Sequence, residues 1–573
     1  MKRIIPILIA VALILIVGAL YGGGQVLERY SYSREYADLN EYFGVTGDGD
    51  IPILMNNEWI DVHARMVDGG CYLRHEDVDR LLNSRFYYGR ADGTLVYTTP
   101  DTIITAKLGT DEWTSAGGSS DSGREKHVIA REDGETLWIL MDYVERYSDF
   151  TWALYEEPYR IRISTEWKDF EQSGITKNTS LRVLGGVKSE ILRDLKKGER
   201  VAVLERMETW SRVRTDDGFT GYVENKRLSE PIKAEGVAPA SKQMEYSHIT
   251  RDRQIVLAWH QIAGAAGNDT LGPMIAATNA GQVNGLNTIS PTWFSLADDQ
   301  GGINSFASTG YVTEAHAAGL EVWGLVDNFT GEGDSTEVLK YAATRANLIA
   351  NLMDQAAQYD LEGINVDFEG VPASSGEDFI EFIRELSIPC RKEGIVLSVD
   401  NYVPMGSLND HYDRAEQGVV ADYIIVMGYD EHYKGSPEAG SVASIGYVED
   451  GIRRTVSEVP AERVIGGMPF YTRVWSTKGN EVDSSALDMK SSADWVAERG
   501  VKLAWDDETC QNYGEITDGD GTLRQVWMED AESIRTKIAV MGTYKIAGVA
   551  GWRLGFETPD IWEVIATSLA SVP

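Results

Sequence analysis

Eight short apolar runs recur between residues 250 and 573, and they constrain the fold more than any other feature of the chain. Segments of helical hydrophobic period separate several of them, including residues 335–359. Strands that are buried on both faces and alternate with helices indicate a parallel sheet. Eight such units predict an α/β fold, the (β/α)8 barrel. The runs are Ile255–Trp259, Thr288–Trp293, Leu320–Val326, Gly363–Phe368, Ile395–Val399, Tyr423–Met427, Val464–Met468 and Val549–Trp552.

The gap between the seventh and eighth runs is the longest, and it predicts a small insertion in the barrel. A helical pattern covers residues 491–500, and two alternating stretches flank the Asp-Gly-Asp-Gly sequence at 518–521. These features predict a helix followed by a β-hairpin.

A charge-free apolar segment, Ile4–Leu20, follows Lys2 and Arg3 at the N-terminus. Its length nearly spans a hydrocarbon core of ~30 Å. Residues 1–24 are therefore predicted to be either an uncleaved transmembrane helix or a cleaved signal segment. Because basic residues precede the apolar run, the bulk of the chain is expected to be extracytoplasmic, in a single-pass membrane protein or a secreted one.

Charge and cysteine usage exclude several classes of function. The 573 residues carry 53 basic and 89 acidic side chains, a net charge of −36, which disfavours nucleic acid as a partner. The 3 cysteines form no C-x-x-C pair, and the 8 histidines form no H-E-x-x-H motif. We therefore expect no metal and no cofactor.

Three polar residues alternate along the fourth run, in the sequence Gly-Ile-Asn-Val-Asp-Phe-Glu. Asn365, Asp367 and Glu369 should all face the barrel interior, near the end where barrel enzymes place their active sites. Burying them is costly unless they are hydrogen-bonded and useful. Neighbouring carboxylates also push their pKa values apart, which suits one of them to act as a general acid. The alternative is a buried salt-bridged cluster, although the run itself contains no Lys or Arg.

This run resembles the strand-four motif of glycoside hydrolase family 18, the chitinase-like enzymes, written D-G-x-D-x-D-x-E. Asn365 stands at the first inner Asp, and Glu362 precedes the glycine in place of the usual Asp or Asn. Three further segments resemble the family, which are V-M-G-Y-D-E-H, G-G-M-P-F-Y-T-R-V-W and G-V-A-G-W-R-L-G. The closest resemblance is to the bacterial branch of spore-cortex and cell-wall N-acetylglucosaminidases.

The resemblance implies hydrolysis after an N-acetylglucosamine unit by a retaining, substrate-assisted mechanism. Glu369 would be the proton donor, and Asp367 would orient the sugar's acetamido group. Tyr429 would hydrogen-bond the acetamido oxygen, and Asn365 would hold Asp367 by a hydrogen bond.

The resemblance also implies a set of substrate-binding residues. Trp552 would form the floor under the reacting sugar. Trp259, Trp293 and Trp323 would either stack on sugars or cap the core. The remaining expected contacts with the sugar are Asp430, Met427, Tyr402, Tyr471 and Arg473.

Two small β-rich domains are predicted before the barrel. Residues 49–158 resemble the N-terminal domain of copper amine oxidases, with no copper implied. Residues 160–230 resemble a bacterial SH3-like domain through Trp210, Val213 and the Gly-Tyr-Val at 221–223. The predicted boundaries leave a stalk at 25–48, a linker at 231–249 and the barrel at 250–573.

These domains indicate the bacterial envelope, so the expected partner is an N-acetylglucosamine-containing glycan, with peptidoglycan favoured and chitin second. The accessory domains are expected to bind the cell wall. Two alternatives remain at this stage. One is a catalytically silent glycan-binding scaffold, and the other is an envelope structural protein whose N-terminal domains are the functional part.

Overall fold

A computed structural model describes residues 11–18, 31–45, 47, 49–118, 120–271 and 285–571. The chain divides into two compact units. The first comprises Met1–Phe86, Ala106–Glu112 and Gly123–Gln243, and the second comprises Tyr87–Thr105, Trp113–Ser122 and Met244–Pro573.

The region before the barrel consists mostly of short strands. Its helices are α1 (Leu39–Phe43), α2 (His75–Leu81) and α3 (Met141–Arg146). Its strands are β1 (Asp50–Met55), β2 (Glu58–Val67), β3 (Gly70–Arg74), β4 (Phe86–Gly89), β5 (Thr94–Thr98), β6 (Thr102–Lys107), β7 (Glu112–Gly117), β8 (Ser122–Arg124), β9 (Ala130–Asp133), β10 (Thr136–Leu140), β11 (Thr151–Tyr155), β12 (Arg160–Ser164), β13 (Phe170–Gly174), β14 (Thr179–Arg182), β15 (Ile191–Leu195), β16 (Arg200–Arg206), β17 (Trp210–Arg214), β18 (Thr220–Glu224) and β19 (Ile232–Ala234).

The first unit contains two seven-stranded sheets, ordered β11-β12-β1-β2-β3-β10-β9 and β15-β14-β18-β17-β16-β13-β19. The second sheet carries the predicted SH3-like segment. Val213 and Val223 are fully buried in its core, whereas Trp210 and Tyr222 are only half-buried.

The barrel predicted from the eight apolar runs is confirmed, and every run contributes a strand. The first strand pairs in parallel with both the second and the eighth, which closes the sheet. Its strands are β20 (Ile255–His260), β21 (Thr288–Leu296), β23 (Glu321–Asp327), β24 (Gly363–Asp367), β25 (Val396–Tyr402), β26 (Tyr423–Met427), β27 (Val464–Pro469) and β33 (Gly548–Trp552), and β22 (Ile303–Ser305) lies at the edge of β21.

Helices cover the outside of the barrel, as the alternation of apolar and polar positions predicts. Ile364, Val366 and Phe368 face outward into this layer, where the Phe368 ring stacks 5.7 Å from that of Phe382. These helices are α4 (Thr309–Ala317), α5 (Ser335–Lys340), α6 (Ala342–Tyr359), α7 (Gly376–Glu393), α8 (Arg414–Val420), α9 (Ile445–Glu458), α11 (Ala531–Thr543) and α12 (Ile561–Ser571), whereas α10 (Met489–Arg499) belongs to the insertion.

The insertion between the seventh and eighth barrel strands is larger than the predicted helix and hairpin. It is a five-stranded antiparallel sheet, ordered β29-β28-β32-β31-β30, with α10 beside it. The seventh barrel strand ends at Pro469, so the sequence that continues it belongs to the insertion. The strands are β28 (Tyr471–Lys478), β29 (Glu481–Asp488), β30 (Leu503–Asp506), β31 (Gln511–Thr517) and β32 (Leu523–Met528).

A hairpin from the N-terminal region packs on the barrel helices within the second unit. The Tyr87 hydroxyl donates to Asp378 Oδ1 at 2.5 Å, and the Thr98 hydroxyl donates to Glu381 Oε1 at 2.5 Å. Both acceptors lie on α7, so residues 87–105 take part in the core of the barrel unit.

The predicted N-terminal apolar segment lies mostly outside the described residues. Only residues 11–18 of it are described, and they are helical and exposed. Within the described part of the chain, no helix has the length and apolar character that a membrane span requires.

Candidate active site

A cavity of about 660 Å³ opens at the carboxyl ends of the barrel strands. Its lining combines carboxylates with aromatic and apolar side chains, a composition typical of sugar-binding clefts. The lining residues that come from strand ends or from the turns just after them include Thr292, Trp293, Asp327, Asp367, Glu369, Tyr402, Met427, Tyr429 and Trp552.

The fourth strand brings its three predicted polar residues to different depths. Asn365 and Asp367 lie on β24 and are buried, with Asn365 fully enclosed. Glu369 lies two residues beyond the strand end and is half-buried at the cavity wall. The alternation of inward-facing residues therefore forms a column from the barrel interior to the solvent-accessible cavity.

Glu369 is held by contacts from two neighbouring strand ends. Its Oε2 accepts a hydrogen bond from the Tyr402 hydroxyl at 2.7 Å. Its backbone exchanges two hydrogen bonds with the Asn328 side chain, at 2.8 and 2.9 Å. Burial raises the pKa of Glu369, and Asp430 and Asp327 raise it further, while the Tyr402 hydrogen bond lowers it. A carboxyl group with a raised pKa beside a cavity can serve as a general acid.

Asp367 is a buried carboxyl group, and one of its two oxygens has no hydrogen-bond donor among the described residues. Its Oδ1 is buried and has no hydrogen-bond partner. Burial raises its pKa well above the usual range, and the charges of Asp400, Glu369 and Asp327 add to the effect. A buried acceptor normally finds a donor, so this atom is suited to receive one from a molecule in the cavity.

Asn365 does not hold Asp367, contrary to the expectation from the resemblance. Its Nδ2 donates to Asp400 Oδ1 at 2.8 Å. Its Oδ1 accepts from Trp259 Nε1 and from the Ser290 hydroxyl, both at 3.0 Å. The physical reason is that Asp400 projects from the adjacent strand β25 into the same layer of the barrel interior and offers a charged acceptor.

The sixth strand contributes Met427, Tyr429 and Asp430, and all three line the cavity. The Tyr429 ring packs edge-on against Trp259, with centroids 6.3 Å apart. Asp430 has a φ of 58°, in the left-handed region, and its Oδ1 accepts from the Tyr471 hydroxyl at 2.5 Å. Tyr471 thus reaches the site through Asp430 from the first strand of the insertion.

The predicted tryptophans occupy three different environments. Trp552 is half-buried and lines the cavity, 6.0 Å from the Trp259 ring. Trp293 also lines the cavity, although it is only 1% exposed, and its Nε1 donates to Asn268 at 2.9 Å. Trp259 and Trp323 belong to the barrel interior and are fully buried. Of the two readings left open for Trp259 and Trp323, packing in the core is the one that fits.

Arg473, a predicted substrate contact, lies outside the described cavity lining. It lies on β28 of the insertion, where its Nη1 donates to the Ser484 hydroxyl at 3.3 Å, and it is not among the described residues that line the cavity. The seventh barrel strand ends at Pro469, so Arg473 is not at a barrel strand end.

Sequence reasoning missed two buried carboxylates of the site, Asp327 and Asp400. Asp327 ends β23 and accepts from the Thr330 hydroxyl and backbone amide, both at 2.8 Å. Asp400 lies on β25, where Ser398, Asp400 and Tyr402 alternate inward as the strand-four residues do. The same alternation argument, applied to the third and fifth runs, could have found both.

The comparisons with known proteins agree with this geometry. Residues 314–557 match the family model "Glycosyl hydrolases family 18", and residues 177–229 match "Bacterial SH3 domain". The chain is 28% identical over 294 residues to an uncharacterized glycosylase, YvbX, of Bacillus subtilis, covering 49% of this chain and 84% of that protein. It is 26% identical over 249 residues to a cortical fragment-lytic enzyme of Bacillus anthracis, covering 42% and 57%. The chain spans just over half the length of most of the curated Bacillus relatives it matches.

A solved structure supports the fold. The spore cortex-lytic enzyme SleL of Bacillus cereus aligns with a TM-score of 0.50 at 22% identity, covering 56% of this chain and 75% of that one. The alignment is consistent with the closed barrel described above. The chain therefore carries a family 18 glycosyl hydrolase domain, built on the barrel, and a bacterial SH3 domain that precedes it in the sequence.

Proposed function

We propose that this protein hydrolyses β-glycosidic bonds after N-acetylglucosamine units in a cell-wall glycan, with retention of anomeric configuration. Peptidoglycan is the favoured substrate, and chitin is second. The observation that carries the proposal is the pairing of Glu369, a half-buried acid at the cavity wall, with Asp367, a buried carboxyl whose Oδ1 lacks a donor.

The first step would use the substrate's own amide. Glu369 donates its proton to the departing glycosidic oxygen, while the acetamido oxygen of the same sugar attacks the anomeric carbon. The glycosidic bond breaks, and a positively charged oxazolinium ion forms. Asp367 accepts a hydrogen bond from the amide N–H and stabilises the developing positive charge. Tyr429 lies at the same wall and would hydrogen-bond the acetamido oxygen.

The second step would return the site to its starting state. The ionised Glu369 takes a proton from a water molecule, which attacks the anomeric carbon and opens the oxazolinium ring. Two displacements at one carbon give net retention. Trp552 would support the apolar face of the sugar during both steps, and Asp430, fixed by Tyr471, would bind a hydroxyl group.

The bacterial SH3 domain supports the choice of a wall glycan over a free oligosaccharide. We propose that the accessory domains hold the barrel against the wall and that the bulk of the chain is extracytoplasmic. Protease added to intact cells should degrade the barrel if this is right. Protection that persists until the cells are lysed would contradict it.

The experiment that tests the function compares wild type with Glu369→Gln on purified peptidoglycan and on chitin oligosaccharides, with products identified by mass spectrometry. The proposal predicts N-acetylglucosamine at the new reducing end and a loss of rate of about 10²–10⁴-fold in the variant. Glu362→Gln is the matched control, because Glu362 sits beside the start of β24, where it accepts from Val322 N, away from the cavity. Equal rates in all three proteins, or binding without turnover in any, would favour the glycan-binding scaffold instead.

A further inference from the structure

We infer that Asp400 is a positioning residue of this site and that its charge sets the protonation state of Asp367. The inference rests on the proposed function for its kinetic consequence, whereas its electrostatic part concerns the folded protein alone.

Asp400 has a hydrogen-bond donor for each of its carboxylate oxygens, so its charged form has support that the charged form of Asp367 lacks. Asp400 is 2% exposed, and each carboxylate oxygen accepts a hydrogen bond from a neutral donor. Oδ1 accepts from Asn365 Nδ2 at 2.8 Å, and Oδ2 accepts from Trp259 Nε1 at 3.2 Å. The Asn365 amide cannot simply be reversed, because its oxygen is already used by Trp259 and Ser290. Two fixed N–H donors therefore favour the charged form of Asp400.

Asp367 lies in the same interior, but its Oδ1 lacks the kind of hydrogen-bond donor that both Asp400 oxygens have. Its Oδ1 is buried with no donor, so the empty site favours the neutral form of this carboxyl group. Two buried carboxylates without a cation between them do not both ionise readily. The pair should then titrate together, with Asp400 losing its proton first and its charge keeping Asp367 protonated.

The charges around this pair reinforce the order. The titratable groups that interact with it lie at the ends of the third, fourth and sixth strands and in the turn after the fifth, and every one of them is an acid or a phenol. Glu369 raises the pKa of Asp400, and Asp400 in turn raises the pKa of Asp367 and of Tyr429. These groups are Asp327, Glu369, Tyr412 and Tyr429.

The functional consequence concerns when Asp367 becomes charged. In the proposed reaction Asp367 must be ionised to stabilise the oxazolinium ion. Asp400 raises the pH at which this happens, so it controls the acidic limb of the pH–rate profile without touching the substrate. Asn365 fixes the position of Asp400 through its hydrogen bond to Asp400 Oδ1.

The kinetic test is the pH dependence of kcat/KM for wild type, Asp400→Asn and Asn365→Asp, measured on an N-acetylglucosamine oligosaccharide. Removing the like charge in Asp400→Asn should move the acidic limb to lower pH by about 1 unit or more. Adding a carboxyl group in Asn365→Asp should move the acidic limb to higher pH. Asp422→Asn is the matched control, since Asp422 is buried at the opposite end of the barrel and accepts from Leu397 N and Ile249 N. If Asp400 were purely structural, Asp400→Asn would lower the rate and leave the acidic limb of the pH–rate profile at the wild-type pH. That result would overturn the inference.

A second readout separates this inference from the proposed function. Burial raises the pKa of Asp400 above its usual range, so wild type should lose stability as pH rises through the range in which Asp400 ionises, and Asp400→Asn should lose less. The Tm difference between Asp400→Asn and wild type should therefore keep growing as the pH rises through that range. For Asp422→Asn the difference should level off above about pH 6, because burial raises the pKa of Asp422 only to about 6.

The two readouts fail in different ways. If wild type turns over no glycan, the proposed function fails, and the stability curves still decide the role of Asp400. If Asp400→Asn does not fold, the profile of Asn365→Asp decides. A Tm difference for Asp400→Asn that does not grow with pH, or an acidic limb that does not move in the variant that folds, would contradict the inference.

Discussion

The Tyr402 hydroxyl lies 2.7 Å from Glu369 Oε2 and donates a hydrogen bond to it across two neighbouring strand ends of the barrel. The bond favours the ionised carboxylate, whereas burial and the nearby acids favour the protonated one. Tyr402 therefore limits how far the pKa of Glu369 rises. In the proposed reaction it would also stabilise the carboxylate that remains after Glu369 has donated its proton.

Replacing Tyr402 with Phe should raise the pKa of Glu369, because the group that favours its ionised form is lost. Hydrogen bonds to charged groups are worth about 1.5–3 kcal/mol, and one pKa unit corresponds to about 1.4 kcal/mol. The alkaline limb of kcat/KM should then move about 1 unit to higher pH, and kcat should fall about 10-fold. Tyr412→Phe is the control, since the Tyr412 hydroxyl donates to the Phe368 carbonyl instead. A limb that moves equally in both variants would count against the role of Tyr402.

Trp552 should contribute binding energy through the part of its ring that lines the cavity. Burying an apolar side chain of this kind contributes about 1.5–3 kcal/mol, so Trp552→Ala should lower kcat/KM by about 10- to 100-fold. Trp505→Ala is the comparison, because Trp505 is an exposed residue of β30 in the insertion and lies outside the described cavity lining. Oligosaccharide hydrolysis would be measured for the two single variants. Calorimetric titration would be done with each change combined with Glu369→Gln, so that the oligosaccharide binds without being hydrolysed. Similar losses from both tryptophans would contradict the assignment.

The Thr98 contact should stabilise the barrel unit. Glu381 is fully buried, and its two oxygens are bonded to Thr98 and Arg384. Thr98→Val leaves one oxygen without a donor, which should cost about 1–3 kcal/mol of unfolding free energy. Kinetic constants at low temperature should be unchanged. The measurement is denaturant unfolding, with the exposed Thr543→Val as control. If Thr98→Val costs no more than the control, the hairpin is not part of the barrel's stability.

The ion pair between Lys537 and Glu529 should be a second stability element, at the end of the insertion. Both side chains are 1% exposed, with Lys537 Nζ 3.0 Å from each carboxylate oxygen. Lys537→Met leaves a buried carboxylate unpaired and should cost about 3–5 kcal/mol. Adding Glu529→Gln should recover part of that loss, because the uncompensated charge is removed. Lys490→Met, which breaks an exposed pair with Asp494, should change little. A double variant no more stable than Lys537→Met would show that charge is not the cause.

The barrel could be predicted from sequence because its signal is local. Each strand is a short apolar run, and the alternation of Asn365, Asp367 and Glu369 within one run marks both the site and its end of the barrel. The expectation for Met427, Tyr429 and Asp430 comes instead from the family resemblance of the sixth run. The prediction for the fourth run depends only on the two-residue repeat of a strand.

Features that depend on contacts between distant segments could not be predicted in this way. The partner of Asn365 is Asp400 on the neighbouring strand, and nothing within the fourth run reveals it. Arg473 lies on β28 of the insertion, because the seventh barrel strand ends at Pro469, and the sequence around it does not mark that break. The contact of Tyr87 with Asp378 joins residues 291 positions apart. The predicted start of the barrel domain at residue 250 therefore leaves out the N-terminal residues that pack on it.

The central claim, that the sugar's own acetamido oxygen attacks the anomeric carbon, is tested most directly by weakening that oxygen. Two fluorogenic oligosaccharides would be compared, identical except for an N-acetyl or an N-trifluoroacetyl group on the reacting sugar. The mechanism predicts a large fall in kcat for the fluorinated substrate, because its amide oxygen is a poorer nucleophile. Equal kcat values for the two substrates would contradict it and would require a nucleophile from the protein.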